Sequence, residues 1–197
     1  MPKHPKTYIK ILEAALPLFA AYGYNGVSMR DISSVVDITA AALYNHFPNK
    51  EQLHLKALEY AFAKKVQDLS GSISASSNPE EQLTCFISFW VETFGRDITL
   101  RSLLQREMAD ADQSRIKLLA EHVFKPVFRE VGDSIQRVSN GLDQHLLFIS
   151  IIGLVMYHFE LSAMRKLLPG YDAEHDQPEK ITKHIKTLLL NGLDNNS

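Results

Sequence analysis

A single cysteine, Cys85, leaves this 197-residue chain without any intrachain disulfide framework. Strand-like alternation of apolar and polar residues never lasts beyond a few positions, and no internal repeat is present. No apolar run is long enough for a bilayer. Leu146 to Leu161 comes nearest, but at 16 residues it falls short of the roughly 20 a spanning helix needs. Asp143 and Arg165 bound it, so it reads as a buried helix, and no membrane contact is expected. Met1 to Lys10 is basic and polar, with no apolar stretch behind it of the secretory kind, which points to a cytoplasmic protein. Catalytic signatures are missing too: no H-E-x-x-H, no P-loop and no G-x-S-x-G. His158-Phe159-Glu160 imitates the H-x-E of a zinc deaminase, but the paired cysteines are absent. The chain therefore reads as no enzyme, and nothing in it calls for a cofactor or a metal. Cys85, beside Phe86, reads as a small buried thiol.

Ordinary globular composition remains, 45% apolar and 22% charged, enough to build a core without staples. The net charge of −2 hides an asymmetry. Residues 1–66 carry eight Lys/Arg against five Asp/Glu, net +3, and the remainder is net −5. A mildly basic N-terminal third suits a nucleic-acid contact at that end.

Helical signals then follow one another along the chain. Ile9, Leu12, Ala15, Leu16 and Phe19 form one face of a helix over about Lys6–Tyr22, with Pro17 bending it and Gly23 stopping it. Ser28 is an N-cap with Asp31 as its capping-box partner, opening a helix from Met29 to about Val36 with Ile32, Val35 and Val36 inward. Asp37 suits a turn, and Thr39 caps a short helix from Ala40 to about His46, ended by Pro48. Asn49, with Gln52, caps a helix from Lys50 to about Leu69, whose inner side is Leu53, Ala57, Tyr60 and Ala61. Ser70–Pro79 reads as a linker. Further helices are expected over about Pro79–Phe94, Ile98–Ala109, Gln113–Val138, Leu142–Leu168 and Pro178–Asn191, with Asn195 to Ser197 frayed.

Two short helices joined by a three-residue turn within Ser28–Lys50 form a helix-turn-helix arrangement. The first helix braces the second against a duplex. Small Ala40, Ala41 and Ala42 allow close approach to a groove, and Tyr44, Asn45 and His46 offer hydrogen-bonding heads. Lys50 opens a helix, where a cation opposes the dipole; a phosphate lying between would account for it. Met29 and Arg30 begin the bracing helix, near the same phosphates.

Ala42-Leu43-Tyr44-Asn45-His46-Phe47-Pro48-Asn49-Lys50-Glu51-Gln52-Leu53 resembles the corresponding stretch of TetR-type transcriptional regulators. So does Gly23-Tyr24-Asn25-Gly26-Val27-Ser28-Met29-Arg30-Asp31-Ile32, and the match covers about residues 6–60. The resemblance implies phosphate contacts from Ser28, Thr39, Tyr44, His46 and Lys50. It implies groove-facing roles for Ala40, Ala41 and Asn45, and core positions for Leu43 and Phe47. It also implies a homodimer on a (pseudo)palindromic double-stranded DNA operator, with an effector pocket in each C-terminal domain. Two departures stand out. Val36-Asp37 replaces the usual alanine-glycine at the turn, and Thr39-Ala40-Ala41 lacks the frequent lysine or proline followed by glycine, so fewer phosphate contacts are expected from that helix.

In the C-terminal part, Leu146, Ile149, Gly153 and Met156 on one helix and Ile181, Ile185, Leu188 and Leu189 on the last form candidate dimer stripes. The same spacing would also bury a helix in its own domain. Phe62, Phe86, Phe89, Trp90, Phe94, Met108, Phe124, Phe128, Met156 and Tyr157 are candidate walls for a small apolar or amphipathic effector. Aromatic residues at helical spacing equally serve as plain core. His158 and Glu160, polar in an apolar helix, have three open roles: a ligand, an interface, or a hydrogen-bonded core. The expectation is an all-α protein. It has a three-helix DNA-binding head with a helix-turn-helix over residues 1–49 and a helical effector-binding and dimerisation domain over 50–197. It would act as a repressor released by its effector.

Overall fold

The computed structural model describes residues 6–138, 141 and 143–194, and every element among them is helical. The expected fraying of Asn195 to Ser197 and the start of a helix at Leu142 lie outside the described residues. Helix α1 spans Lys6–Tyr22 and runs through Pro17, which sits on its exposed face. Gly23 ends it with φ 72°, a left-handed conformation that only glycine adopts without cost. Helices α2 (Met29–Val36) and α3 (Ala40–His46) follow. Then come α4 (Lys50–Ser74), α5 (Pro79–Arg96) and α6 (Ile98–Asp110). Helix α7 (Gln113–Leu119) passes through a π-helical turn, Ala120–Phe124, into α8 (Lys125–Val138). Helix α9 covers Gln144–Glu160, a single turn α10 covers Ser162–Arg165, and α11 covers Pro178–Asp194 after a 3-10 turn at Ala173–Asp176.

These elements group into two compact units. The first holds the residues up to Lys65 together with Ile98–Lys125; the second holds Val66–Asp97 and the chain from Pro126 onward. In the first, α1 packs on α2 and α6, and α2 packs on α3. Its buried side chains include Ile11, Leu12, Phe19, Ile32, Leu43, Phe47, Leu53 and Phe62. In the second, α5 packs on α9 and α11 around Phe86, Trp90, Phe94, Phe148, Ile151 and Ile185.

Four expectations change. The single helix expected over Leu142–Leu168 ends at Glu160, where Leu161 caps it, and only the turn α10 follows. Helix α4 continues five residues past Leu69, into the serine-rich stretch read as a linker. Leu69 and Ile73 are both buried, so an apolar stripe at i, i+4 overrides the weak helix propensity of serine and glycine. Buried Gln82 supports that end, donating from Nε2 to Ser76 O at 2.6 Å and Ile73 O at 3.4 Å. Its Oε1 accepts from Ser134 Oγ at 2.6 Å and from Arg137 at 3.2 Å. The single helix expected over Gln113–Val138 is instead interrupted by the π turn. Pro126 lies just beyond that turn; it lacks an N–H and its ring crowds the carbonyl four residues back, which widens the turn before it. Val35, expected inward, is 58% exposed, because the eight-residue α2 turns only Met29, Ile32, Ser33 and Val36 toward the core.

Replacing Gln82 by leucine should lower stability by about 2 kcal/mol, since it leaves the buried Ser134 hydroxyl and two carbonyls unpaired. A thermal melt reads this as a loss of several degrees, and an unchanged melting temperature would show that water takes over those groups at no cost.

Candidate nucleic-acid interface

Helix α3 has two dissimilar faces. Leu43 and Phe47 are fully buried and Tyr8 stacks on Phe47 at 4.6 Å, which seats the helix on the first unit. Thr39, Ala41, Tyr44 and Asn45 form the opposite, exposed face, with Tyr44 50% exposed. Ala40 and His46 lie between, half-buried, and His46 meets the Tyr8 ring edge-on at 6.4 Å. The two helices are held at their angle by the turn. Asp37 adopts φ 61°, ψ 52°, and the Asp37 and Ile38 N–H groups close on Ser34 O and Ser33 O at 3.3 and 3.0 Å. Lys10 Nζ donates to Val36 O at 2.9 Å, so a cation closes the negative end of α2.

The hydrogen-bond partners sort the expected phosphate contacts. Ser28 donates both its N–H and its hydroxyl to Asp31 Oδ2, at 2.7 and 2.6 Å, and its Oγ accepts from Asp31 N at 3.2 Å. The hydroxyl proton is therefore committed, and Ser28 serves as the cap that opens α2. Those bonds from the Ser28 side chain and backbone hold the Asp31 carboxyl below its usual range. Thr39 differs: its Oγ1 accepts from Ala42 N at 3.1 Å, and its proton stays free to donate. Met29 is 7% exposed, so its side chain belongs to the core, while Arg30 projects outward. Lys50 does not point into open solvent. Its Nζ donates to Tyr24 O at 2.8 Å and Val27 O at 3.0 Å and lies 4.2 Å from the Tyr24 ring centroid. It stitches α4 to the turn before α2, with one of three N–H groups left over.

Behind the head lies a buried polar cluster that spacing along the sequence did not flag. Glu107 of α6 is 1% exposed. Its Oε1 stands 3.1 Å from Nε2 of buried His54, and its Oε2 accepts from Arg115 Nε at 2.9 Å. Arg115 also reaches Asp110 and Asp112 at 3.1 and 3.5 Å and covers the Tyr24 ring at 4.5 Å. Burial by itself pushes the Glu107 carboxyl up; the bonds and charges of His54 and Arg115 outweigh it and hold the group below its ordinary value. Arg106 donates to Ala20 O and Ala21 O at 2.7 and 2.5 Å, satisfying the last carbonyls of α1. Glu107 lies 53 positions from His54, and Arg106 lies 86 and 85 from Ala20 and Ala21, so only folding brings these partners together.

The candidate effector walls divide between the units. Phe62, Met108 and Phe124 belong to the first; Phe86, Phe89, Trp90, Phe94, Phe128, Met156 and Tyr157 belong to the second. Within the second, Phe86 and Phe128 both contact Phe148, at 5.7 and 5.0 Å, and Trp90 bridges Phe89 and Phe94. Phe62 is buried, and Met108 and Tyr157 are exposed. The candidate dimer stripes also split. Leu146, Ile149 and Leu188 are exposed, Gly153, Met156 and Leu189 half-buried. Ile181 and Ile185 are each only 3% exposed, turned into their own unit where α11 packs on α5.

Residues 11–57 match the family of bacterial regulatory proteins described as tetR. The biofilm operon icaADBC HTH-type negative transcriptional regulator IcaR of Staphylococcus epidermidis is 43% identical over 143 residues, 70% of this chain and 66% of that one. The HTH-type transcriptional repressor KstR of Rhodococcus jostii is 31% identical over 105 residues, 53% of this chain and 49% of that one. The matched segments thus span less than two thirds of either relative. Among solved structures, FadR from Bacillus subtilis in complex with stearoyl-CoA superposes with a TM-score of 0.78 at 19% identity, covering 94% of this chain and 98% of that one. AibR in complex with isovaleryl coenzyme A and operator DNA gives 0.73 at 21% identity, covering 94% and 98%. At these identities the two structures share the fold.

Glu107→Gln should destabilise the protein by about 3 kcal/mol at pH 7, because Arg115 loses its buried counter-charge. A depressed carboxyl stabilises the fold above its unfolded pKa, about 4.3, and that contribution disappears as pH falls through the lower folded value. The gap between wild type and variant in urea titrations should therefore narrow from pH 7 to pH 3. A constant gap would show that the cluster contributes by shape alone.

Proposed function

This chain belongs to the TetR family of bacterial regulatory proteins, and on that premise we propose that it is a sequence-specific DNA-binding transcriptional repressor released from its operator by a small-molecule effector. The observation that carries this reading is the outer face of α3, held away from a fully buried inner face and offering Thr39, Ala41, Tyr44 and Asn45 together. Such a helix enters the major groove with its small N-terminal residues against base edges, while the free N–H groups of its first turn meet phosphate. Ala40, Ala41 and Asn45 face the groove. Thr39, Tyr44, Arg30 and His46 meet phosphate. Ser28 and the Met29 backbone place α2, and Lys50 holds the preceding turn while its third N–H faces the duplex. Repression is supported by IcaR, a negative transcriptional regulator, and KstR, a transcriptional repressor.

The reading head is placed at residues 1–49, with effector binding and dimerisation in 50–197. A helix-turn-helix reader gains affinity and register from two half-sites, so a homodimer on a pseudo-palindromic operator is proposed. The stripe Leu146, Ile149, Gly153 and Met156 on α9, with Leu188 and Leu189 on α11, exposed at Leu146, Ile149 and Leu188, is its interface. An effector favouring a different head spacing would shift the population away from the DNA-bound state by its differential affinity for the two. Such a role places the protein in the cytoplasm; among the described residues no helix is long and apolar enough to cross a membrane.

Fluorescence anisotropy against the DNA upstream of its own coding region, at two salt concentrations, tests the reading. Absence of saturable, salt-sensitive and sequence-selective binding would sink it. Arg30→Ala should weaken binding to all sequences and lower the salt slope by about 1. Lys50→Ala should instead lower the melting temperature, as two carbonyls lose their donor; equal stability of the two variants contradicts the division of roles. Ile149→Asp should turn the dimer into monomer in light scattering and reduce operator affinity at least about tenfold, and a dimer that persists would exclude this stripe.

A further inference from the structure

A cleft in the second unit carries a charge pattern that none of the roles above uses. It has a volume of about 630 Å³, within the range of small-molecule sites. Eight residues line it: His158, Arg165, His175, Lys180, Ile181, Lys183, His184 and Thr187. None is acidic, and none is among the ten aromatic and methionine candidates for the effector walls. Two lining residues carry buried polar atoms without a hydrogen-bond partner, His158 Nε2 and Arg165 Nε. The nearby acids are already engaged. Asp176 accepts from Arg165 at 2.5 Å and from Tyr171 at 2.8 Å, and Glu174 pairs with Lys180. Among the described residues Lys183 has no ion pair.

We propose that this cleft, between the C-terminal end of α9 and the first turns of α11, binds a small molecule through an oxyanion head, a phosphate or a carboxylate. Arg165, Lys183 and His158 are its recognition groups. Arg165 keeps one buried N–H without an acceptor although its other nitrogen meets Asp176, and such a donor is costly to keep; a charged oxygen is the acceptor that repays it best. Planar Arg165 suits a two-oxygen contact, whereas Lys183 supplies a point charge. Burial, then the Arg165 charge, holds the His158 imidazole below its usual range, and an anion in the cleft offsets the second of these. A smaller cleft on the other side of Lys183 includes Glu92 and Glu179, so its charge disfavours an anion. The site is defined without reference to DNA, and it stands or falls separately from the regulatory reading.

Isothermal titration of the full chain without DNA tests it, with inorganic phosphate in one arm and butyrate in the other. Saturable binding in either arm, weakened at least about fivefold by both Lys183→Gln and His158→Gln, supports the site, and the tighter arm identifies the head group. Lys183 is exposed and outside any ion pair, so its variant keeps the fold, which a melt verifies. No saturable heat with either anion up to about 20 mM overturns the proposal. So does binding that both variants leave unchanged. A fivefold loss corresponds to about 1 kcal/mol, the scale of one charge-assisted hydrogen bond.

Discussion

Glu107 is the constraint on which the first unit depends. A carboxylate at 1% exposure is tolerable only with its charge matched; Arg115 supplies the match, and His54 from another helix stands 3.1 Å from the second oxygen. That requirement fixes α4, α6 and α7 relative to one another. Arg115 then covers Tyr24, whose carbonyl receives Lys50, and Arg106 closes the end of α1. The turn between α1 and α2 is thereby held from three sides. The angle at which α2 presents α3 follows from contacts made well away from the exposed face of α3.

This arrangement divides polar residues of the head into those used inside the fold and those left for a partner. Ser28 and Lys50 look like surface contacts by residue type, yet both spend donors on the protein's own acceptors. Thr39, with an identical capping role on paper, keeps its proton free, because its backbone partner only donates. Asp37 supplies the left-handed turn without glycine, at a modest conformational cost, and brings a negative charge to the edge of the head. The outer face of α3 is therefore small, nearly uncharged and built on threonine, alanine, tyrosine and asparagine. On the proposed function, such a face favours recognition by close fit and methyl contacts over recognition by a dense array of charges.

Much of the helical plan was legible because it rests on local chemistry. Ser28, Thr39 and Asn78 cap helices where their side-chain oxygens reach free N–H groups two or three residues on. Gly23 and Asp37 end helices because their residue types tolerate positive φ. The failures are equally specific. Ser70–Ser74 is helical because Ile73 is buried, and burial is not a local property. Val35 faces outward because, in a helix of two turns, apolar residues at adjacent positions cannot all share one face. Ile181 and Ile185 have the spacing of an interface stripe, but spacing does not say against which surface a stripe packs.

The sequence by itself determined where the capped helices begin, which residues form the core of the head, and which stretch carries the family resemblance. Caps, turns and a 3.6-residue period act within a few residues of one another, so they are written directly into residue order. Only the tertiary structure decided that α6 and α7 belong with the first unit, that Lys50 is a fastening, and that His158, Arg165 and Lys183 share a cleft. Those outcomes depend on charges and carbonyls that meet across long stretches of chain, where burial sets the strength of every interaction and sequence distance carries no information about it.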